Sequence, residues 1–499
     1  MSVQLDAVTP IDLARQDQLQ APDTPVEQES VRIDGNATNS GQQEVRHTTT
    51  GNPIVALTLH QSGDVSVVRE VMFVEVMDEF GQPQMQVGTD HLVFNTGDGD
   101  DRIEVLQNPN GSLDVGINGQ VFETTLSPIQ EVAIRAHGGD DVIRVDSGVR
   151  VNFIIDGGEG NDTIEALGSG NDRISGNGGD DVITVGRGNN YVYGGAGDDA
   201  ITVLGAGSNV LYGGQGNDTI TGGQGGDYID GGAGNDRIDG VAGQNILVGS
   251  LGSNVIHSGT GDSRVYAGED TSVLNGGGSD VVYAPEAIAN RIDAVDGASN
   301  TVVNVVLDRT LGQSLEIQGS EEFVARVQAD IEMLRNSPYG QQMLAEFDAA
   351  RAANGDNAKV TIIELQNEKN GYAMMDFQNG VPYIENGQAG PSSNVTIAYN
   401  PGFFVESLPA PSVILYHEMS HAFNSVTGTF MNGQYDGGEL GRRHPDYGLV
   451  LPERQAVGLP TNHAPFDFGN GRVENTNPLP LTENGIRQEM GLDLRPTYR

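Results

Sequence analysis

Gly213-Gly-Gln-Gly-Asn-Asp-Thr-Ile-Thr-Gly-Gly-Gln-Gly-Gly-Asp-Tyr-Ile-Asp-Gly-Gly-Ala-Gly-Asn-Asp-Arg-Ile-Asp239 is written in nonapeptides of the form GGxGxDxUx, where U is a large apolar residue. Gly157-Gly-Glu-Gly-Asn-Asp-Thr-Ile-Glu165 and Gly194-Gly-Ala-Gly-Asp-Asp-Ala-Ile-Thr202 keep the same phase. The acidic position recurs at Asp162, Asp172, Asp181, Asp199, Asp218, Asp227 and Asp236, with Asn190 and Asn209 standing in the gaps. Such a unit divides into a glycine-rich turn and a short strand, and successive units stack into a parallel β-roll. The glycines supply turn geometries that other residues resist. Ile164, Ile174, Ile183, Ile201, Ile220, Ile229 and Ile238 fall in register and are expected to fill a narrow core. A disordered low-complexity linker would not keep that register.

A pair of nonapeptides makes one turn of a roll, so alternate repeats share an edge. One edge then reads Asp162, Asp181, Asp199, Asp218, Asp236, Asn254, and the other Asp172, Asn190, Asn209, Asp227, Asn245. The first keeps its carboxylates through five successive turns, whereas the second is interrupted. The expectation is one calcium column on the first edge, facing an Asn-rich edge on which stacked amides hydrogen-bond along a ladder. The region resembles the repeats-in-toxin (RTX) modules of secreted bacterial proteins, which implies calcium bound by the Asp set.

The second decisive stretch is Val413-Ile-Leu-Tyr-His-Glu-Met-Ser-His-Ala-Phe423, which contains His417-Glu418-x-x-His421. Histidines at i and i+4 of a helix face one way and can share one zinc ion. The Glu between them stands beside the open coordination position, where it can take a proton from water. Pro411 and Ser412 mark a helix start and Gly428 its end. Leu415, Met419, Ala422 and Val426 form an apolar stripe away from the histidines.

A zinc site needs a third protein ligand. Thr427 stands where a metzincin would carry its third His, which excludes that class. Downstream candidates are Asp436, Glu439, His444, Asp446 and Glu453. Pro452 reads as a first helical residue, so Glu453 is predicted to ride a second helix packed on the first. It is the preferred ligand, the alternative for it being a carboxylate that merely stabilises a helix N-terminus.

Leu315-Glu-Ile-Gln-Gly-Ser320 with the helix after it, Tyr416-His-Glu-Met-Ser-His-Ala422, Glu453-Arg-Gln-Ala-Val-Gly458, Thr482-Glu-Asn-Gly-Ile-Arg-Gln-Glu-Met-Gly491 and Arg495-Pro-Thr-Tyr498 follow one another in order. Together they resemble the effector-type zinc metallopeptidases that bacteria inject into host cells (NleD/HopH-like gluzincins), distant relatives of clostridial neurotoxin light chains. The resemblance covers roughly residues 315–499. It implies His417, His421 and Glu453 as zinc ligands, Glu418 as catalytic base, and Arg495 and Tyr498 as the pair facing the scissile carbonyl, where a guanidinium and a phenol stabilise an oxyanion. It also implies a host signalling protein as the class of substrate.

With 26 basic and 69 acidic residues the net charge is −43, which argues against nucleic acid or an anionic membrane as partner. There is no Cys and no apolar run long enough to span a bilayer, and the N-terminus has no Sec-type signal. The expected organisation is a disordered leader over 1–50, a β-rich lead-in or solenoid cap over 51–150, the calcium-binding β-roll over 151–284, a connector over 285–314, and an α+β zincin-like peptidase over 315–499. Repeat-like pieces already occur in the lead-in, at Gly97-Asp-Gly-Asp-Asp101 and Gly138-Gly-Asp-Asp141. The function these readings favour is a secreted zinc endopeptidase with a calcium module, delivered into host cells. The alternative is a calcium-dependent adhesion or structural protein whose peptidase-like end is inactive.

Overall fold

The computed structural model describes residues 30–37, 42–48, 52–77, 83–365, 371–376, 380–402 and 410–498. Most of the chain before residue 305 is a β-solenoid of about 9 turns, built from a 13-stranded and a 14-stranded sheet laid face to face. In the first sheet each turn places one residue directly over its equivalent: Ile103, Ile143, Ile164, Ile183, Ile201, Ile220, Ile238 and Ile256 pair in parallel register. The facing sheet stacks Ile134, Ile155, Ile174, Val192, Leu211, Ile229, Leu247, Val265 and Val282 in the same way. All of these belong to one buried core. A one-residue slip would turn the whole ladder outward, so the repeat period fixes the register.

The lead-in is both a cap and the irregular start of the solenoid. Pro53–Ser62, Val65–Met77 and Pro83–Asn95 form an antiparallel meander that continues the larger sheet. Arg102–Gln107 and Val142–Val145 already pair in parallel, as the later turns do. Two sequence-based boundaries are corrected. The folded body begins inside the expected leader: Val31–Asp34 pairs with Gln120–Thr125, with Ile33 in the core, and Gln43–His47 pairs with Pro53–Ser62. Residues 1–29 lie outside the described residues. The expected connector likewise supplies the last solenoid strands, Ile292–Ala294 and Ser299–Asn304. Neither stretch carries the glycine signature, and in both the β alternation is too short to stand out beside polar neighbours.

The C-terminal region is a smaller α+β unit. Leu315–Gln318, Val360–Glu364 and Val395–Tyr399 run parallel, and Tyr372–Met375 joins the edge antiparallel. Helix α1 (Glu321–Asn336) starts where the Ser320 hydroxyl accepts from the Phe323 N–H. Helix α2 is Pro338–Asn354, α3 is Pro411–Thr427, α4 is Leu451–Val457 and α5 is Glu483–Glu489. Among the described residues no helix is long and apolar enough to cross a membrane.

The two parts share a core. Tyr191, Tyr193, Tyr212, Tyr228, Tyr266 and Tyr283 on one solenoid face bury themselves with Phe323, Val327 and Ile331 of α1 and with the interior of the C-terminal unit. The Arg326 guanidinium lies 4.3 Å over the Tyr191 ring. Tyr212 and Tyr399 donate to the two oxygens of Asp330 at 3.0 and 3.2 Å. Tyr266 and Tyr283 donate to the side chain and the backbone carbonyl of Glu489.

Burial pushes the Asp330 carboxyl up to about 7, against the tyrosine bonds and the nearby Arg326 charge. Its unfolded value is about 3.9. The fold therefore favours the protonated form, and this contribution to stability is lost as pH rises from about 4 to 7. In saturating calcium, Asp330→Asn is expected to flatten the loss of thermal stability between pH 5 and pH 8. A variant that keeps the wild-type slope would remove Asp330 from that role.

Candidate metal centres

Helix α3 is buried on nearly every side, with Leu415, Met419, Ala422 and Val426 fully inaccessible. Pro411 occupies its first turn, and Gly428 closes it at φ 71°, a left-handed position that suits glycine. His417 and His421 stand one helical turn apart, with ring centroids 4.9 Å from each other. Glu453 sits in the first turn of α4, after Pro452, and reaches both: its Oε2 is 3.6 Å from His417 Nε2 and 3.3 Å from His421 Nε2. The three potential ligand atoms lie within 4.8 Å of one another, and they are the only such His/Cys/Asp/Glu group among the described residues. Glu418 is buried beside them, and Gly371 leaves it room: a Cβ at Gly371 would come 3.2 Å from Glu418 Cγ.

The other ligand candidates lie elsewhere. Glu439 is exposed on the 3-10 turn Gly438–Arg443, and the Asp436 side chain accepts from the Gly438 N–H in the same loop. His444 Nδ1 takes the Asp446 N–H. Asp446 is fully buried, but it holds Arg454 and the backbone N–H of Tyr498.

Arg495 and Tyr498 do come to the site, although the arrangement differs from a simple pair facing outward. The Tyr498 ring is 6.1 Å from the His417 ring. Arg495 donates 2.9 Å to Glu483 Oε2 and also to the Tyr498 carbonyl, so its guanidinium braces the C-terminal segment. Glu483, which sequence reasoning missed, is the hub: the same Oε2 is 2.9 Å from His417 Nδ1. A carboxylate behind a ligating imidazole fixes the ring and its tautomer. In the sequence Glu483 reads as an ordinary first-turn carboxylate after the Thr482 cap, so only its place inside a quoted motif marked it.

The electrostatics fit a cation. Burial disfavours the His417 imidazolium, yet Glu453 and Glu483 on either side outweigh it and raise the His417 pKa to about 10. Burial also works against the Glu453 anion, but bonds to His417 and His421 hold its carboxyl far below the usual range. Burial, aided by the Glu453 charge, raises the Tyr498 phenol well above its usual value, so it is a proton donor at neutral pH.

A second arrangement runs along the solenoid. On the first edge each Asp uses Oδ1 to accept the backbone N–H of its equivalent one turn earlier: Asp181 from Asp162, Asp199 from Asp181, Asp218 from Asp199 and Asp236 from Asp218. The other oxygen, Oδ2, is buried without a partner in Asp162, Asp181, Asp199, Asp218 and Asp236. Each lies beside a glycine; a Cβ on Gly176 would meet Asp181 Oδ2 at 2.0 Å. On the second edge Asn209 donates its amide to Asp227 Oδ1, and the Gly223 N–H satisfies Asp227 Oδ2. Asp172 there accepts from Phe153. Buried polar atoms are rarely left unpaired, so the file of orphaned oxygens makes the first edge the candidate cation column, whereas on the second edge the Asn209 amide and the Gly223 N–H occupy Asp227.

Two parts of the chain match family models, one within the solenoid and one over the C-terminal unit. Four stretches, 154–168, 167–201, 204–238 and 239–274, match the RTX calcium-binding nonapeptide repeat. Residues 312–498 match the family model Peptidase M91, described as effector protein. No curated protein and no solved structure matches the chain significantly.

Proposed function

We propose that this chain is a zinc-dependent endopeptidase of the effector type whose calcium-loaded roll carries the catalytic region, and that it acts outside the producing bacterium on a host protein. The observation that carries the reading is the convergence of His417, His421 and Glu453 within 4.8 Å of one another, with Glu418 beside them. The set of two imidazoles and one carboxylate suits zinc and leaves a position open.

Zinc held there would supply Lewis acidity toward a water and the scissile carbonyl. Glu418 takes the proton of the attacking water and passes it to the leaving amine. Glu483 accepts the Nδ1 proton of His417, leaving the Nε2 lone pair for the metal. The Tyr498 phenol donates toward the developing oxyanion. Arg495 acts from behind, holding Glu483 and the Tyr498 carbonyl in place.

Zinc content is the first test. The purified protein is expected to carry about one zinc per chain, and Glu453→Ala to lose most of it, whereas Glu439→Ala keeps it. The reverse outcome would move the third ligand to Glu439 and break the family reading. Absence of zinc from wild-type protein supplied with the metal would sink the enzyme assignment.

A further inference from the structure

Two pieces of the lead-in obey the repeat grammar although no repeat match reaches them. Thr96-Gly-Asp-Gly-Asp-Asp-Arg-Ile-Glu104 and Ala136-His-Gly-Gly-Asp-Asp-Val-Ile-Arg144 place Asp and Ile where the nonapeptide has them, and the matched repeats start at residue 154. In space the phase is kept. Ile103 pairs with Ile143 and Ile143 with Ile164. Asp141 Oδ1 accepts from the Asp101 N–H at 2.6 Å, and Asp162 Oδ1 from the Asp141 N–H at 2.8 Å. Gly139 takes φ +112°, and a Cβ there would strike the Gly99 carbonyl carbon at 2.5 Å. The corners are therefore stacked backbone on backbone, as in the matched repeats. The sequence period breaks only because the chain makes the antiparallel excursion Leu113–Ile117 and Gln120–Thr125 between them.

The independent mark of a ligand is the second carboxylate oxygen. Asp101 Oδ2 and Asp141 Oδ2 are buried without a partner, continuing the file from Asp162 to Asp236. Asp141 is 1 % exposed and Asp101 9 %. Oxygen-only corners of carboxylates and backbone carbonyls suit calcium rather than a softer metal or the strict octahedron of magnesium.

We propose that Asp101 and Asp141 are calcium ligands, so that the ion column runs on beyond the recognisable repeats and ties the cap to the roll. This rests on the calcium reading of the repeats themselves. Thr96 and Ala136 replace the first glycine of the motif and His137, at φ 71°, the second; these departures hide the sites from sequence comparison while the acidic position is kept.

The test uses crystals of the full chain grown in millimolar calcium, with anomalous difference maps at long wavelength. Peaks are expected between Asp101 and Asp141 and between Asp141 and Asp162, as well as along Asp162 to Asp236. In solution, Asp101→Asn combined with Asp141→Asn keeps the Oδ1 ladder and should bind about two fewer calcium ions per chain by equilibrium dialysis. Peaks confined to Asp162 through Asp236, or unchanged stoichiometry in a folded double variant, would overturn the proposal. No peak anywhere along the file would instead overturn the calcium reading beneath it. Should the double variant fail to fold, the wild-type map decides alone.

Discussion

Glu418→Gln is expected to leave zinc in place and to cut peptide hydrolysis by roughly 10²–10⁴-fold, the contribution of a positioned general base. The substitution keeps the shape and removes the basicity. Glu418 is not among the grouped ligand atoms, which are those of His417, His421 and Glu453. His417 stays oriented by Glu483 from behind and Glu453 from the front, since neither contact involves Glu418. Zinc content by elemental analysis and turnover of a responsive protein, measured on the same preparation, separate chemistry from binding. A variant that cleaves at the wild-type rate would remove Glu418 from the mechanism. One that loses its zinc would make Glu418 a structural element of the site.

The central solenoid was legible because its signal is redundant. Every nonapeptide restates the same turn and the same inward Ile, so the sequence alone places Ile164 through Ile238 in the core. The His417-Glu418-x-x-His421 helix was legible for a local reason: its spacing, Pro411 and Gly428 are all contained in one short stretch. What the sequence hid depends on contacts between distant segments. Glu483 lies far along the chain from His417, and nothing local distinguishes it from a helix-start carboxylate. The shared tyrosine core was hidden too. Tyr191, Tyr193 and Tyr212 occupy strand positions that would be solvent-facing on an isolated roll, and the docking of the C-terminal unit buries them. The strands at Val31–Asp34 and Ser299–Asn304 were missed because partners supply their stability, not their own composition.

Removing calcium is expected to destabilise the peptidase region together with the roll. The two do not have separate cores: six solenoid tyrosines share one apolar cluster with Phe323, Val327, Ile331 and the interior around α3. Without its cation the first edge holds a file of carboxyls in low dielectric. Burial raises Asp199 to about 8, with the Asp218 and Asp181 charges adding to it, and raises Asp181 and Asp218 to about 7. At neutral pH that edge must either carry repelling charge or take up protons. Calcium relieves both problems, and each site filled at ten times its dissociation constant adds about 1.4 kcal/mol to the folded state. Thermal unfolding of the full chain should therefore show one shared transition, lying more than about 10 °C lower in calcium-free buffer with zinc supplied than in millimolar calcium. Cleavage activity should vanish along that same transition. An unchanged midpoint would mean that the Asn-bearing edge and the Ile ladder hold the roll unaided, so that the protein could work in host cytosol. A roll that melts first while cleavage persists would show that the tyrosine face is mere contact. The expected coupling favours action where calcium is millimolar over the delivery into host cells that the sequence suggests, since extracellular modules commonly bind it at ~10⁻⁴–10⁻³ M; inside the bacterium the same chain would stay loose enough to export.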